Sequence, residues 1–82
     1  MIPIETMLIA TLSGQEKNII LQKRYEFSDK YNVIIDNDLQ ALVCKIPRGK
    51  GWEVVPKMGS WLTADDCEVI LKTVLNLENP NV

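Results

Sequence analysis

The apolar pattern of the first 56 positions reads as strands, with clean period-two alternation in residues 18–27, and the spacing lengthens to that of a helix after residue 62. Residues 5–12 are β-compatible and stop at a turn-rich cluster of Ser13, Gly14, Gln15 and Glu16. A helix beginning at Pro3 competes for this segment, because Ile4, Met7, Leu8 and Leu12 also fit helical spacing. Residues 18–27 alternate cleanly: Ile19, Leu21, Tyr25 and Phe27 fall on one face, and Ile20, Gln22, Arg24 and Glu26 on the other. Lys23 is the one charge on the apolar side, placed where its long stem reaches the rim. The two segments are expected to pair as a hairpin.

Residues 31–36 are rich in β-branched side chains, and Asp36, Asn37 and Asp38 supply a turn, since Asx residues bond their own backbone and tolerate left-handed geometry. Residues 39–46 are apolar on both alternating sets, with Ala41 and Val43 on one and Leu42, Cys44 and Ile46 on the other. Such a strand is expected to be central and covered in part on both faces. Pro47, Arg48, Gly49, Lys50 and Gly51 close another hairpin, whose short return strand covers residues 52–55 and ends at Pro56.

Thr63 is the expected N-cap of a helix, with Asp66 at its third position as a variant capping box. Cys67, Ile70, Leu71, Val74 and Leu77 make one apolar stripe, and the helix is expected to run to about residue 78, before Asn79 and Pro80 stop it. Strands first and one helix last make an α+β domain: an antiparallel sheet of four to five strands, built of hairpins, with one C-terminal helix packed on one face. One helix covers one face only. The apolar residues on the second face of 39–46 therefore call for another cover, either a partner subunit or the N-terminal segment if it is helical. A chain this small gains from association, and a homodimer is expected.

Composition narrows the chemistry. Eighty-two residues hold one core, so residues 1–82 read as a single domain. There is no His, which removes the side chain most used for acid–base work near neutrality and the commonest metal ligand. Cys44 and Cys67 lie outside any C-x-x-C pairing and read as reduced thiols in apolar patterns. Asp36, Asn37 and Asp38 begin a calcium-loop spacing, but Leu39 and Gln40 follow where a third ligand and a glycine belong. Gly49, Lys50 and Gly51 lack the spacing of a phosphate loop and precede a strand. No enzyme activity, metal or cofactor is expected. Residues 1–12 lack the basic start of a secretory signal, and no apolar run approaches the roughly 20 residues of a spanning helix. A cytoplasmic protein with no membrane role is expected.

The charge asymmetry carries the functional expectation. Residues 45–61 hold Lys45, Arg48, Lys50 and Lys57 against Glu53, a net of +3, while the rest of the chain is −5. Trp52 and Trp61 lie among these cations. Cations track phosphates while aromatic faces stack on bases, and the same mixture of Arg and Trp marks protein-binding hot spots. The plainer alternative is a charged hairpin that protects a sheet edge, with both tryptophans in the core. Gly59, Ser60, Trp61, Leu62 and Thr63, leading into an acidic-capped helix, resemble the junction in the single-stranded-DNA-binding domains of the positive-cofactor-type coactivators. That resemblance implies dimerisation and DNA binding through basic, aromatic strands. Two functions follow: a non-catalytic protein-interaction module, or accessory or inhibitor subunit, which is favoured; and a single-stranded nucleic-acid binder. Both use Lys45, Arg48, Lys50, Trp52, Lys57 and Trp61 as candidate binding residues. Val69, on the outer side of the helix, would be central to a partner docked there.

Overall fold

The computed structural model describes residues 2–49 and 51–79. Five strands, β1 (Ile4–Leu12), β2 (Gln15–Lys23), β3 (Lys30–Ile35), β4 (Asp38–Lys45) and β5 (Trp52–Pro56), form one antiparallel sheet in the order β1-β2-β3-β4-β5. Helix α1 (Ala64–Glu78) follows them and packs across one face. The N-terminal segment is therefore a strand. β1 pairs with β2 along its whole length, from Ile4 opposite Lys23 to Leu12 opposite Gln15, so it cannot fold back as a cover for the second face.

Two of the four sheet hairpins are held by two-residue turns in left-handed geometry: Ser13 and Gly14 at φ 50° and 78°, and Asp36 and Asn37 at φ 52° and 65°. Paired positive φ values match the right-handed twist of the flanking strands, and Gly, Asn and Asp adopt them at least cost. The Ser13-Gly14 turn is tighter than the four-residue cluster read from sequence, so β2 starts at Gln15 rather than residue 18. At its other end β2 stops at Lys23, and Tyr25 and Phe27 leave the sheet altogether. The chain turns there, with the Ser28 N–H donating to the Tyr25 carbonyl at 3.0 Å and the Lys23 ammonium donating to the Glu26 carbonyl at 2.8 Å. Phe27 is 81% exposed. Alternation persists through these residues, but β3 offers partners only as far as Gln22 opposite Asn32.

A bulge interrupts β3–β4 pairing: Val33 opposes Ala41 and Ile34 opposes Leu39, leaving Gln40 as the extra residue. Gln40 is buried and hydrogen-bonded at both its amide nitrogen and its amide oxygen. Its amide donates to Asp38 at 2.8 Å and accepts from the Ser60 hydroxyl at 2.9 Å, and its carbonyl accepts from the Lys57 N–H at 2.9 Å. The bulge thus anchors the segment that carries the chain from β5 back over the sheet.

The core is the single layer between sheet and helix. Leu12, Ile19, Leu21, Val33, Ile35 and Val43 are buried on one side of the strands, against Ile70 and Val74 of α1. Tyr31 and Trp52 close one end, ring centroids 5.5 Å apart and tilted by 57°. The Tyr31 hydroxyl donates to Glu78, whose carboxylate also lies 3.7 Å from the Lys23 ammonium. Burial first, and then the adjacent Glu78, hold the Tyr31 phenol well above its ordinary range.

The start of α1 is fixed twice. Thr63 and Asp66 form the capping box, with Thr63 Oγ1 accepting from the Asp66 N–H at 3.1 Å and the Asp66 carboxylate accepting from the Thr63 N–H at 3.0 Å. The same carboxylate accepts from the Ser13 N–H at 2.7 Å and the Ser13 hydroxyl at 2.6 Å. A local cap is thereby also a bridge to the β1–β2 turn. Burial disfavours the Asp66 charge, but these donors more than offset it and its carboxyl lies below the usual range. With a folded pKa below the unfolded one, the contribution of Asp66 is complete above about pH 4 and is lost as pH falls through the folded value. Asp66→Asn is therefore expected to flatten the acid limb of the stability–pH curve measured by urea unfolding between pH 5 and pH 2. Asp66→Ala is expected to cost about 2 kcal/mol at pH 7, a fall in Tm of roughly 10 °C.

Candidate functional site

Side chains alternate across a sheet, so the residues between those of the core form a second face. No residue on that face is buried among those described. Met7, Ile20, Ile34 and Leu39 stand side by side across β1–β4, and Ile9 adjoins Met7 on β1. Met7 is 77% exposed and Ile9 62%. The neighbouring row is divided. Glu5, Gln22 and Asn32 occupy β1–β3, and Leu42 and Val55 continue it on β4 and β5. Its polar half is a ladder of hydrogen bonds, the Asn32 amide donating to Gln22 Oε1 at 3.2 Å and the Gln22 amide to Glu5 Oε2 at 2.8 Å.

A shallow groove of about 570 Å³ lies on this face, floored by Met7, Ile9, Ile20 and Ile34 and closed at one end by Asn18, Asp36 and Asn37. The Asp36 carboxylate is held by Lys17, Nζ to Oδ2 3.0 Å. Charged side chains on the face are Glu5, Glu16 and Glu53 against Lys30, an acidic balance. The arrangement is a wide apolar surface with an acidic margin, suited to contact with another surface rather than to enclosing a substrate.

The residues singled out by charge and aromaticity do not form one patch. Lys45 and Trp52 are opposite one another at one end of the sheet, and Arg48 is exposed in the adjoining turn at φ 62°. Lys50 lies outside the described residues. Trp52 is only 9% exposed and belongs to the core against Tyr31. Lys57 and Trp61 are beyond the far end of β5, about 16 Å away at strand rise. There Lys57 pairs with Asp38 at 3.3 Å, and Trp61, 41% exposed, has the Lys17 ammonium 5.7 Å from its ring centre. Val69 is half-exposed on the helix.

The apolar second face was visible in sequence only in part. Leu42 and Cys44 signalled it, whereas Ile20 and Ile34 were hidden among polar neighbours of the same parity. Among the described residues no three His, Cys, Asp or Glu side chains come together to hold a metal. Both cysteines are free and half-buried. Burial, and then the adjacent Asp66 charge, push the Cys67 thiol up, away from the thiolate a nucleophile needs. No helix among the described residues is long and apolar enough to cross a membrane. No family model, curated protein or solved structure matches this chain.

The two tryptophans are expected to separate spectroscopically. Trp61→Phe should leave a blue-shifted emission from Trp52 that acrylamide quenches poorly, while Trp52→Phe should leave a red-shifted, readily quenched emission from Trp61. Equal quenching of the two variants would place Trp52 at the surface.

Proposed function

We propose that this protein is a non-catalytic interaction module, an accessory or inhibitory subunit, that works as a dimer and holds another protein against its open sheet face. The observation that carries this reading is the row of Met7, Ile20, Ile34 and Leu39, left without cover by a helix that packs only on the other face. Contiguous exposed apolar surface on a small domain marks an interaction site. The margin of Glu5, Glu16 and Glu53 favours a partner whose apolar anchors are rimmed by Lys and Arg. Two free thiols suit the reducing cytoplasm as its place of action.

Single-stranded nucleic acid draws less support. The acidic face repels phosphate, the basic residues are split between two ends, and of the two tryptophans only Trp61 offers a ring for stacking. The observation that favours it is the exposed ring of Trp61 with the Lys17 ammonium beside it.

Photocrosslinking distinguishes the two. With p-benzoylphenylalanine at Ile20 or Leu39, covalent adducts to a second polypeptide are expected in native cells, and none from position 48. Val55→Glu is expected to weaken capture of that polypeptide about tenfold or more while leaving the circular dichroism spectrum unchanged. Adducts to nucleic acid from position 61, with affinity for a short oligonucleotide falling log-linearly with salt, would replace this reading by the other.

A further inference from the structure

The two edges of the sheet differ in a way the open face does not explain. β5 is five residues long, carries Glu53, and ends in Pro56, which has no N–H to offer. It is a blunted edge of the kind that resists pairing. β1 is nine residues long, carries Glu5 as its one charge, and has no Pro or Lys within it. Among the described residues it pairs with β2 on one side only and heads the sheet order. A long, flat, weakly charged edge of this kind presents a row of unpaired backbone groups that template another strand.

We propose that β1 pairs antiparallel with β1 of a second copy about a two-fold axis through Leu8, joining two sheets into one of ten strands. Opposing residues in an antiparallel pair must point to the same face, so a two-fold axis between identical strands passes through a residue. Leu8 is the midpoint of β1, and this axis alone pairs all nine residues. It also sets Met7 against Ile9 of the second copy, twice, so that the two most exposed apolar residues of the edge cover each other. Glu5 then faces the Thr11 hydroxyl of the second copy, and no like charges oppose. Shifting the axis to Met7 or Ile9 shortens the pairing to seven residues; the first shift also sets Glu5 against Ile9.

The blunted β5 edge decides closure. A β1-to-β5 contact would propagate head to tail, whereas β1-to-β1 pairing uses each long edge once and ends at two chains. About eight backbone hydrogen bonds form across the seam. The apolar row of each open face then runs without a break into that of the second copy, which doubles the surface offered to a partner.

This interface rests on the dimeric part of the proposed function and not on partner docking. Sedimentation equilibrium of the full chain, with Met7→Glu, Ile9→Lys and the double variant, tests it. Wild type is expected to sediment at twice the 9.3 kDa chain mass. Each single variant is expected to raise the dimer dissociation constant about tenfold or more, since it sets a charge against an apolar residue at two places. The double variant is expected to recover most of that loss, because each Glu at position 7 now faces a Lys at position 9 of the other copy. Both positions are exposed in the single chain, so folding is retained. A dimer that the double variant fails to restore would overturn this register while leaving dimerisation standing. A wild-type monomer throughout the micromolar range would overturn the interface and the dimer together. Amide exchange on wild type gives an independent check: the β1 N–H groups that face away from β2 are expected to be protected at high concentration and to exchange on dilution. Fast exchange at both concentrations would overturn the pairing.

Discussion

One 15-residue helix against a five-stranded sheet sets the terms for everything else in this molecule. The helix is about 22 Å long and 10 Å wide, enough to cap one face of a sheet some 20 Å across and nothing more. Side chains that point toward it are buried, while their neighbours along each strand face outward. Most domains of this architecture solve the imbalance by making the outward set polar. Here the outward set keeps Met7, Ile9, Ile20, Ile34, Leu39 and Val55, and the polar ladder of Glu5, Gln22 and Asn32 occupies only a corner. The unequal treatment of the two faces makes association the natural reading.

Local signals in the chain were the most legible. Thr63 and Asp66 announce the helix and its cap, Asp36 and Asn37 announce a turn, and Lys23, at the end of the apolar side of β2, reaches the Glu26 carbonyl at the rim as its stem length implies. Strand limits were less legible, because alternation carries no information about where a neighbour stops. Tyr25 and Phe27 keep the period of β2 and still lie outside it. The competing helical reading of the first segment fell to a pairing partner, not to propensity: nine successive pairs with β2 outweigh the helical spacing of Ile4, Leu8 and Leu12.

Tertiary roles were hidden for a related reason. Asp65 and Asp66 are equivalent in a helical dipole argument, and only the approach of Ser13, 53 residues away in the chain, makes one of them a buried bridge. The candidate site shows the same limit. Cations and tryptophans that are close in sequence are separated by the length of β5, and parity places Trp52 with Val54 on the covered side. Nearness along the chain is a poor guide to a shared surface wherever a strand intervenes, since five residues carry a side chain some 16 Å.

Both ends of α1 are tied to the earliest parts of the chain, Asp66 to Ser13 and Glu78 to Tyr31 and Lys23. Of the six elements, the one that follows all the others in the chain is thus the one that completes the core. Until it docks, neither face of the sheet is shielded and the core-side residues of the strands stay in water. Contacts spanning 47 and 53 positions also require large loops to close before they yield anything, which slows the final docking step. A sheet that forms before α1 docks is sticky on both sides, and that is when chaperones have the most to hold.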